Sequence, residues 1–575
     1  MAVRPQQHRD ARAVGEGQPL QIQGQFPGQS GVDLPVQLLH HRPGPVVVQL
    51  SGHRRSQPPS FFHTGHRHRI SLLFLPIFRN PIIGQALRRI RAHFVGFENI
   101  RFVYKSHNLV YYKYILRKGE SDMSRELHLT SGSITPQLIR LYLPLLGANV
   151  LQQLYNIINA LVVTRYIGDN AFAALGVAES VMNLFIYVIT GACMGASVLI
   201  AQFYGEENLP RLRQQLYVSA VLIGGCTLAA VILGQLFLPQ LLQVIQTPAE
   251  LMADVSAYLR VILVGMVFTF TYNYLASTLR AVGDTKAALR FLLISLAYNL
   301  AAAWLLVAVL DLGIIGTGLA TASAQLLSSL LCLVYIRRKR PFLTIHRTDM
   351  KMDPVLIHQT SSFAAVAALQ QSSLYLGKLL IQGAVNGISL ISTAPISAFA
   401  AATRIENFIQ AFGISGCEAI AIFVAQNTGA GDRPRSLQGL AQGGALVVST
   451  GLAFSVLMNL SAASLSAIFL VPGSESAVLC ASYIRLIGCF YFLSFTGHTF
   501  VGWYRGTGRM SITFWGTTIQ IVVRVIGTYL LVDAMGLDAA ALATGLGWIV
   551  IVLFQVIIFA LEQKGIWPKE IKLAQ

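Results

Sequence analysis

Five charged side chains stand inside long apolar stretches of this sequence: Glu179, Lys378, Arg404, Glu406 and Arg524. A charge inside a lipid bilayer costs about 3 kcal/mol or more unless it is paired or hydrated, so such residues usually belong to a site for ions or polar molecules. The chemistry they offer is reversible binding. A carboxylate can hold a cation or a proton, and a basic group can hold an anion.

Purely structural roles compete with this interpretation. Lys378 and Arg524 would reach the membrane surface by snorkelling, and Glu179 would pair with Lys378 or Arg404. Arg404 and Glu406 are two residues apart, so on a helix their side chains point about 200° apart and cannot pair cleanly with each other. We take Glu179, Lys378, Arg404 and Glu406 as candidate substrate-binding or ion-binding residues.

Uncharged polar side chains at mid-membrane depth supply further candidates. Such residues either line a cleft or form hydrogen bonds between helices. We favour cleft lining for the glutamines, because a Gln-Gln pair occurs at matching depths in two spans. The candidates are Gln152, Gln153, Asn156, Asn159, Asn299, Gln370 and Gln371.

The elements that position these residues are membrane-spanning helices. The sequence is 54% hydrophobic and only 12% charged, with a mean hydropathy of +0.57. A helix crosses the hydrocarbon core with about 20 apolar residues, and from residue 136 onward such runs follow one another. We predict twelve spans, at 137–164, 171–201, 214–238, 254–279, 286–310, 314–336, 356–383, 394–424, 437–470, 477–503, 510–532 and 539–561.

The twelve spans divide into two copies of one six-helix unit. Three segments return at spacings of 218, 224 and 225: Leu151–Gln153 as Leu369–Gln371, Ala201–Arg211 as Ala425–Arg435, and Tyr258–Gly283 as Tyr483–Gly508. Six crossings bring the second copy in with the same orientation as the first, so an axis along the membrane normal should relate them. The sequence predicts an all-α integral membrane protein with two pseudo-symmetric six-helix bundles around a central cleft.

Basic residues concentrate in alternate loops. Lys and Arg number eighteen in the even-numbered gaps and the C-terminal tail, against three on the other side. Positively charged loops stay in the cytoplasm, so we expect a multi-pass protein of the cell (inner) membrane with both termini cytoplasmic. The six cysteines lie in or beside apolar runs without metal-binding spacing, and we predict neither a metal nor a cofactor.

The first 122 residues lie outside this pattern. They hold nine of the thirteen histidines and no apolar stretch long enough to span a membrane. A basic arm that contacts anionic lipid or nucleic acid is one interpretation. We instead expect translation to start at Met123, and a peptide from residues 1–122 in the purified protein would refute this. The predicted domains are then 123–347, the first bundle with the start of the linker, and 348–575, the second bundle and its tail.

Two turns on the basic side share one pattern. Gly283-Asp284 and Gly431-Asp432 each precede a predicted span. They are expected to be tight turns, in which glycine takes a positive φ and aspartate caps the following helix. A contact at a gate is the alternative function for both turns.

Several motifs in a consistent order give the chain a family resemblance. They are similar to the LRGxGDTK, QQLYNxxD, RIE, VGQNxGAG and GxxGxALAT motifs of the multidrug and toxic compound extrusion (MATE) transporters. The matching segments, within about 123–565, are Leu279–Lys286, Gln153–Asn159, Arg404–Glu406, Val424–Gly431 and Gly313–Thr321.

The resemblance implies export of small organic molecules across the bilayer, driven by a Na⁺ or H⁺ gradient. We expect a monomer with no nucleic-acid partner. Many relatives carry Asp where this chain has Asn159 in the first span, and an acid where it has Ala303 in the fifth. An amide cannot release a proton near neutral pH. Coupling would therefore use Glu179 or Glu406, or Na⁺ held by the amide oxygens of the asparagine candidates.

Two other classes were weighed against this function. An intramembrane enzyme would need paired acids or a His/Ser/Asp group, and the sequence has no DDxxD motif, so we predict that the chain is not an enzyme. The alternative is a flippase for lipid-linked oligosaccharide or a related anionic lipid, from the same wider superfamily. Lys378, Arg404 and Arg524 favour the cationic cleft that such a substrate would need.

Overall fold

The structure is a computed structural model that describes residues 128–166, 169–388 and 393–566. Of the described residues from 155 to 173, and of Ile388, it describes only the helix backbone. The predictions for residues 1–122 lie outside the described residues. The helices are α1 (Ile134–Tyr166), α2 (Asp169–Gly205), α3 (Leu209–Leu236), α4 (Leu238–Val244), α5 (Met252–Ala281), α6 (Thr285–Trp304), α7 (Gly313–Lys339), α8 (Pro354–Ile388), α9 (Ala394–Gly429), α10 (Arg433–Ser466), α11 (Glu475–Gly488), α12 (Tyr491–Gly506), α13 (Met510–Met535) and α14 (Asp538–Gln563).

Each of the twelve predicted spans coincides with one of these helices or with a helix pair. Within the described ranges, nine helices are long and apolar enough to cross a membrane, and the pair α11 and α12, bent by 52°, makes a tenth. Helices α1 and α8, with 33 and 35 residues, occupy the first and seventh predicted spans. The chain is an all-α membrane protein, as the sequence predicted.

The basic loops all lie at one side of the helix assembly, which we call the basic face. Helices α2, α5, α7, α9, α12 and α14 end there. The two turns predicted to be tight have the expected form: Gly283 has φ +89° and Gly431 has φ +73°. Asp284 accepts a hydrogen bond from the Ala287 amide at 3.3 Å. Local turn chemistry therefore explains both motifs without a ligand.

The halves are related helix by helix. Helix α1 packs against α6 in its own half and against α9 and α10 in the other, while its counterpart α8 packs against α13 in its own half and against α2 and α3 in the other. Likewise α5 packs on α2 and α7, as α12 packs on α9 and α14. Every such contact recurs with the halves exchanged, as a pseudo-two-fold axis between them requires.

Each half has its own hydrophobic core, and the first helix of each half also packs against the helices of the other half. Phe363, Ala364 and Ala367 of α8 belong to the core of the first half. Leu138 and Leu141 of α1 pack with residues of α9 in the second. The linker between α7 and α8 contains the predicted domain division at residues 347 and 348, which stays a prediction.

A buried ion pair ties the basic-face turn to the last helix of each half, with the charges inverted. In the first half, Asp284 of the turn meets Arg340 just beyond α7, with Oδ2 and Nη2 2.7 Å apart. In the second, Arg509 of the turn pairs with Glu562 of α14. Asp284 and Arg509 occupy equivalent positions of the repeat, so the acid and the base have exchanged elements.

Candidate functional site

Three of the charged residues meet inside the second half. Glu406 on α9 accepts a hydrogen bond from the Tyr483 hydroxyl, 2.8 Å from its Oε1. Lys378 Nζ on α8 donates to Asn407 Oδ1 at 3.3 Å. The charges of Lys378 and Arg524 both act on Glu406. We call these five residues the second-half cluster, which joins α8, α9, α11 and α13 around one carboxylate.

The second-half cluster is accessible and carries more positive than negative charge. The Lys378 side chain is exposed, and Glu406 and Arg524 are half-buried. Two basic groups face a single carboxylate. The Arg524 Nε is buried without an acceptor in the part of the chain that the structure describes. The arrangement can therefore bind an additional negatively charged group.

Arg404 does not join this cluster. Its side chain is exposed, and its guanidinium carbon lies 5.8 Å from the ring centroid of Phe469, within the range of a cation–π contact. The expectation that Arg404 and Glu406 do not pair with each other agrees with these different surroundings.

Glu179 lies in the first half, where α2 meets α8. It is exposed, and its charge acts on Tyr375 of α8. The Tyr375 hydroxyl donates to the Ser180 carbonyl at 3.2 Å, and its ring stacks on Tyr187 at 5.2 Å. Neither of the pairings suggested by the sequence, with Lys378 or with Arg404, is present among the described residues. Glu179 is thus a carboxylate at the junction of the halves.

The amide candidates of the first half differ in how far their side chains are buried. Asn299 is buried and donates from Nδ2 to Thr321 Oγ1 at 3.3 Å. Gln152 is exposed and Gln153 is half-buried. The side chains of Asn156 and Asn159 lie outside the described residues. Asn299 therefore forms an interhelical hydrogen bond with α7, as the structural alternative for the amide candidates predicted.

Gln370 is buried between helices. It is only 1% exposed, and its Nε2 donates to Thr517 Oγ1 at 2.9 Å while its Oε1 accepts from Arg505 at 3.3 Å. These are the interhelical hydrogen bonds that were the alternative for the glutamines. Gln371 is half-buried, because it points about 100° away around the same helix.

The halves close on each other at the basic face. Gly205, at the end of α2, packs against the Gln426 carbonyl so closely that an added Cβ would overlap it. Gly429, at the end of α9, packs in the same way against the Gln202 carbonyl. Each glycine is the counterpart of the other in the repeat. Only residues without a side chain permit this contact.

The side chains of the same two glutamines also form hydrogen bonds with the opposite half. Gln202 Nε2 donates to the Gly506 carbonyl at 3.0 Å, and Gln426 Nε2 donates to the Ala281 carbonyl at 2.8 Å. Ala281 and Gly506 end the equivalent helices α5 and α12. We call these four contacts the basic-face seal. They hold the ends of four helices together and separate any space between the halves from that side.

The segment before α1 covers this seal. The Leu129 amide donates to Gln426 Oε1 at 3.2 Å, and the Leu129 carbonyl accepts from Arg435 Nε at 3.1 Å. The ring of His128 stacks on Tyr204, with centroids 4.9 Å apart, and Tyr204 stacks on Phe342 of the linker. The start of one half thus packs on the helix ends of the other.

Sequence reasoning missed the partners of the predicted residues. Asn407 and Tyr483 were not predicted to touch Lys378 and Glu406, since nothing local connects positions so far apart. Gln202 and Gln426 entered the sequence analysis only through the duplication and, for Gln426, through the family motif at Val424–Gly431. Their identity in both copies was the available signal, because a contact across a pseudo-two-fold axis uses the same residue twice. Within the described ranges, no group of three or more His, Cys, Asp or Glu residues could hold a metal.

A family model described as MatE matches residues 144–305 and 367–530, together more than half of the chain. Similar curated proteins include two from Bacillus subtilis (strain 168), the "Probable multidrug resistance protein YpnP" and the "Probable multidrug resistance protein YoeA". They are 25% and 26% identical to the chain, over 53% and 66% of its length and 68% and 82% of their own.

Two solved structures of similar fold are a multidrug resistance MATE family transporter in an outward-facing conformation and a transporter of the MOP superfamily from Pyrococcus furiosus. The first has a TM-score of 0.71 and covers 77% of this chain and 98% of its own. The second, whose title refers to reverse polarity of its binding pocket, has a TM-score of 0.70 over 76% and 98%. Both are 18% identical to the chain, so they inform on the fold alone.

Proposed function

The chain belongs to the MatE family of multidrug efflux transporters, and from this premise we propose that it exports small organic molecules in exchange for Na⁺ or H⁺ by alternating access. It is a multi-pass membrane transporter and not an enzyme. The proposed orientation places the basic face and both termini in the cytoplasm, and the proposed state is monomeric.

The observation that carries this proposal is the basic-face seal. Two related bundles meet at one side of the membrane through two glycine contacts and two glutamine hydrogen bonds, each made to a backbone carbonyl group. None of these contacts is covalent, and the glutamine hydrogen bonds can be replaced by water when they break. Rocking one bundle against the other would open this side and close the opposite one. The substrate would then cross without a continuous channel.

The coupling cation is expected to act at Glu179. Lys378 and Arg524 already compensate Glu406 electrostatically, and their positive charges oppose a second cation there. Glu179 has no basic partner among the described residues and lies where α2 meets α8. An uncompensated carboxylate at a membrane-embedded junction gains most from binding Na⁺ or H⁺. A cation bound there would alter the contact between the halves.

The test measures uptake of the cationic dye rhodamine 123 in everted vesicles with Na⁺ and pH gradients imposed separately. We expect one of the two gradients to drive uptake. Glu179→Gln should abolish the dependence on that gradient, whereas Glu250→Gln, which alters an exposed loop residue, should not. Gradient-driven uptake that persists unchanged in Glu179→Gln would reject the proposed coupling site. Absence of uptake from wild-type vesicles would count against export of organic cations.

The second candidate function is movement of an anionic lipid. The excess of positive charge in the second-half cluster favours it, because a lipid phosphate needs a basic site. In proteoliposomes, a fluorescent phosphatidylglycerol would then change leaflets faster with the chain than without it. Dye export without accelerated lipid movement would leave the exporter as the better description.

A further inference from the structure

The basic groups of the second-half cluster are incompletely neutralised. Among the described residues, no ion pair joins Lys378 or Arg524 to a carboxylate. Lys378 has the neutral Asn407 oxygen as its acceptor. Each basic group acts electrostatically on the other as well as on Glu406. Two like charges held close together inside a membrane protein favour binding of an anion.

Glu406 does not satisfy this need, because other groups hold it. Its carboxylate accepts from the Tyr483 hydroxyl, and its backbone carbonyl accepts from the Tyr491 hydroxyl at 3.2 Å. Both tyrosines are fully buried and lie in the bent pair α11 and α12. The Tyr483 hydroxyl holds the carboxylate on the side of α9 that faces this pair, and the Tyr491 hydroxyl holds the backbone of the same residue. One negative charge there reduces the positive potential of the second-half cluster without cancelling it.

Close packing between α8 and α13 brings the two basic groups together. A Cβ added to Gly377 would press on Ile521 of α13, and the Tyr529 hydroxyl donates to the Leu380 carbonyl at 3.3 Å. Lys378 follows this glycine directly, and Arg524 lies one helical turn after Ile521. The Lys378 side chain is exposed, so protein atoms leave one side of it open to a ligand.

We propose that Lys378 and Arg524 form an anion-binding subsite that takes the carboxylate, sulfonate or phosphate group of a small amphiphilic substrate. The guanidinium offers two parallel N–H groups to such an anion, and the ammonium offers a point charge beside them. Glu406 limits the affinity, so that the anion can leave again. The inference rests on the proposed transport function and specifies one substrate class for it.

Binding of two related dyes to the purified full-length chain tests the subsite. The probes are 5-carboxyfluorescein, which is anionic, and rhodamine 123, which has a similar ring system but is cationic, and the readout is fluorescence polarisation. Lys378→Gln and Arg524→Gln should each weaken carboxyfluorescein binding by about ten-fold or more. Neither change should weaken binding of rhodamine 123. Lys378→Arg keeps the charge and should retain the affinity for carboxyfluorescein.

Glu406→Gln separates an electrostatic role from a structural one. Removal of the negative charge should tighten carboxyfluorescein binding, whereas general damage to the site would weaken it. Arg404→Gln is the matched control, because this arginine is also on α9 but contacts Phe469 instead. It should leave carboxyfluorescein binding unchanged.

Three results would overturn the subsite: no carboxyfluorescein binding by the wild-type chain, unchanged binding in both Lys378→Gln and Arg524→Gln, or weaker binding in Glu406→Gln. Failure of the transport function is a separate outcome. It would appear as no gradient-driven uptake of either dye into vesicles, while the charge-dependent binding of carboxyfluorescein persists. Uptake of rhodamine 123 alone, without carboxyfluorescein binding, would reject the subsite and keep the exporter.

Discussion

At the scale of single residues, neighbours decide what a charge within the membrane does. Glu179 and Glu406 are the same residue type, and the sequence suggested the same use for both. Glu406 has a tyrosine donor and two basic groups nearby, whereas Glu179 has an aromatic neighbour and no ion-pair partner in the described part of the chain. One is therefore suited to a compensated site and the other to binding a cation.

Tyr483→Phe tests whether the hydroxyl holds Glu406. The substitution removes one hydrogen bond to a charged acceptor, worth about 1.5–3 kcal/mol. Tyr491→Phe is the matched control, since it removes a bond to a neutral carbonyl, worth about 1 kcal/mol. We expect thermal unfolding in detergent to show a larger loss of stability for Tyr483→Phe. Equal losses would mean that the carboxylate gains nothing particular from its tyrosine.

At the scale of elements, each half has one buried ion pair at the same place, with the acid and the base exchanged between the halves. The turn after α5 carries the acid of its buried ion pair, and the turn after α12 carries the base. Each pair fixes a turn on the basic face to the last helix of its half. Because the acid and the base have exchanged places, a basic residue at the position of Asp284 would face Arg340, which carries a like charge.

The Arg509–Glu562 pair gives a prediction about stability. Arg509→Gln or Glu562→Gln breaks this buried ion pair by removing one of its charges, so each should lower the free energy of unfolding by about 3–5 kcal/mol. Replacement of both by apolar residues of similar size, Arg509→Met with Glu562→Leu, should recover most of this loss. Chemical denaturation of the purified chain measures all three. A double variant as unstable as the sum of the single ones would contradict this account.

At the scale of the whole molecule, the basic-face seal sets which side of the protein is closed. It consists of two pairs of equivalent contacts related by the pseudo-axis, each pair with one glycine contact, so both glycines should matter equally. A rearrangement that opens this side has to break both contacts together, since each joins the same two halves.

Gly205→Ala and Gly429→Ala should both open the basic face. The new methyl group would overlap the opposing glutamine carbonyl, so the closed state becomes less populated. In a cysteine-free background with Ala281→Cys, a membrane-impermeant maleimide should react faster in both variants and to a similar extent. Gly225→Ala is the control, because nothing lies within 4 Å of its added Cβ. Labelling at the wild-type rate in both seal variants would refute the mechanism.

Much of the architecture was predictable from sequence because it depends on properties that are read along the chain. Hydropathy located the spans, since about 20 apolar residues are needed for each crossing, and all twelve coincide with helices of the structure. The duplication was visible in repeated arginines and glycines. The tight turn at Gly283-Asp284 followed from local backbone preferences and is confirmed by the positive φ and the cap.

The sequence by itself thus determined the membrane fold, the two related halves and the short set of charges inside them. Only the tertiary structure decided which polar side chains meet. Gln152 and Gln370 are equivalent in the repeat, yet the first is exposed and the second is buried against Thr517. The direction of a side chain around a helix gains meaning only from the neighbouring helix. That neighbour is brought there by packing of residues that are far apart in the chain.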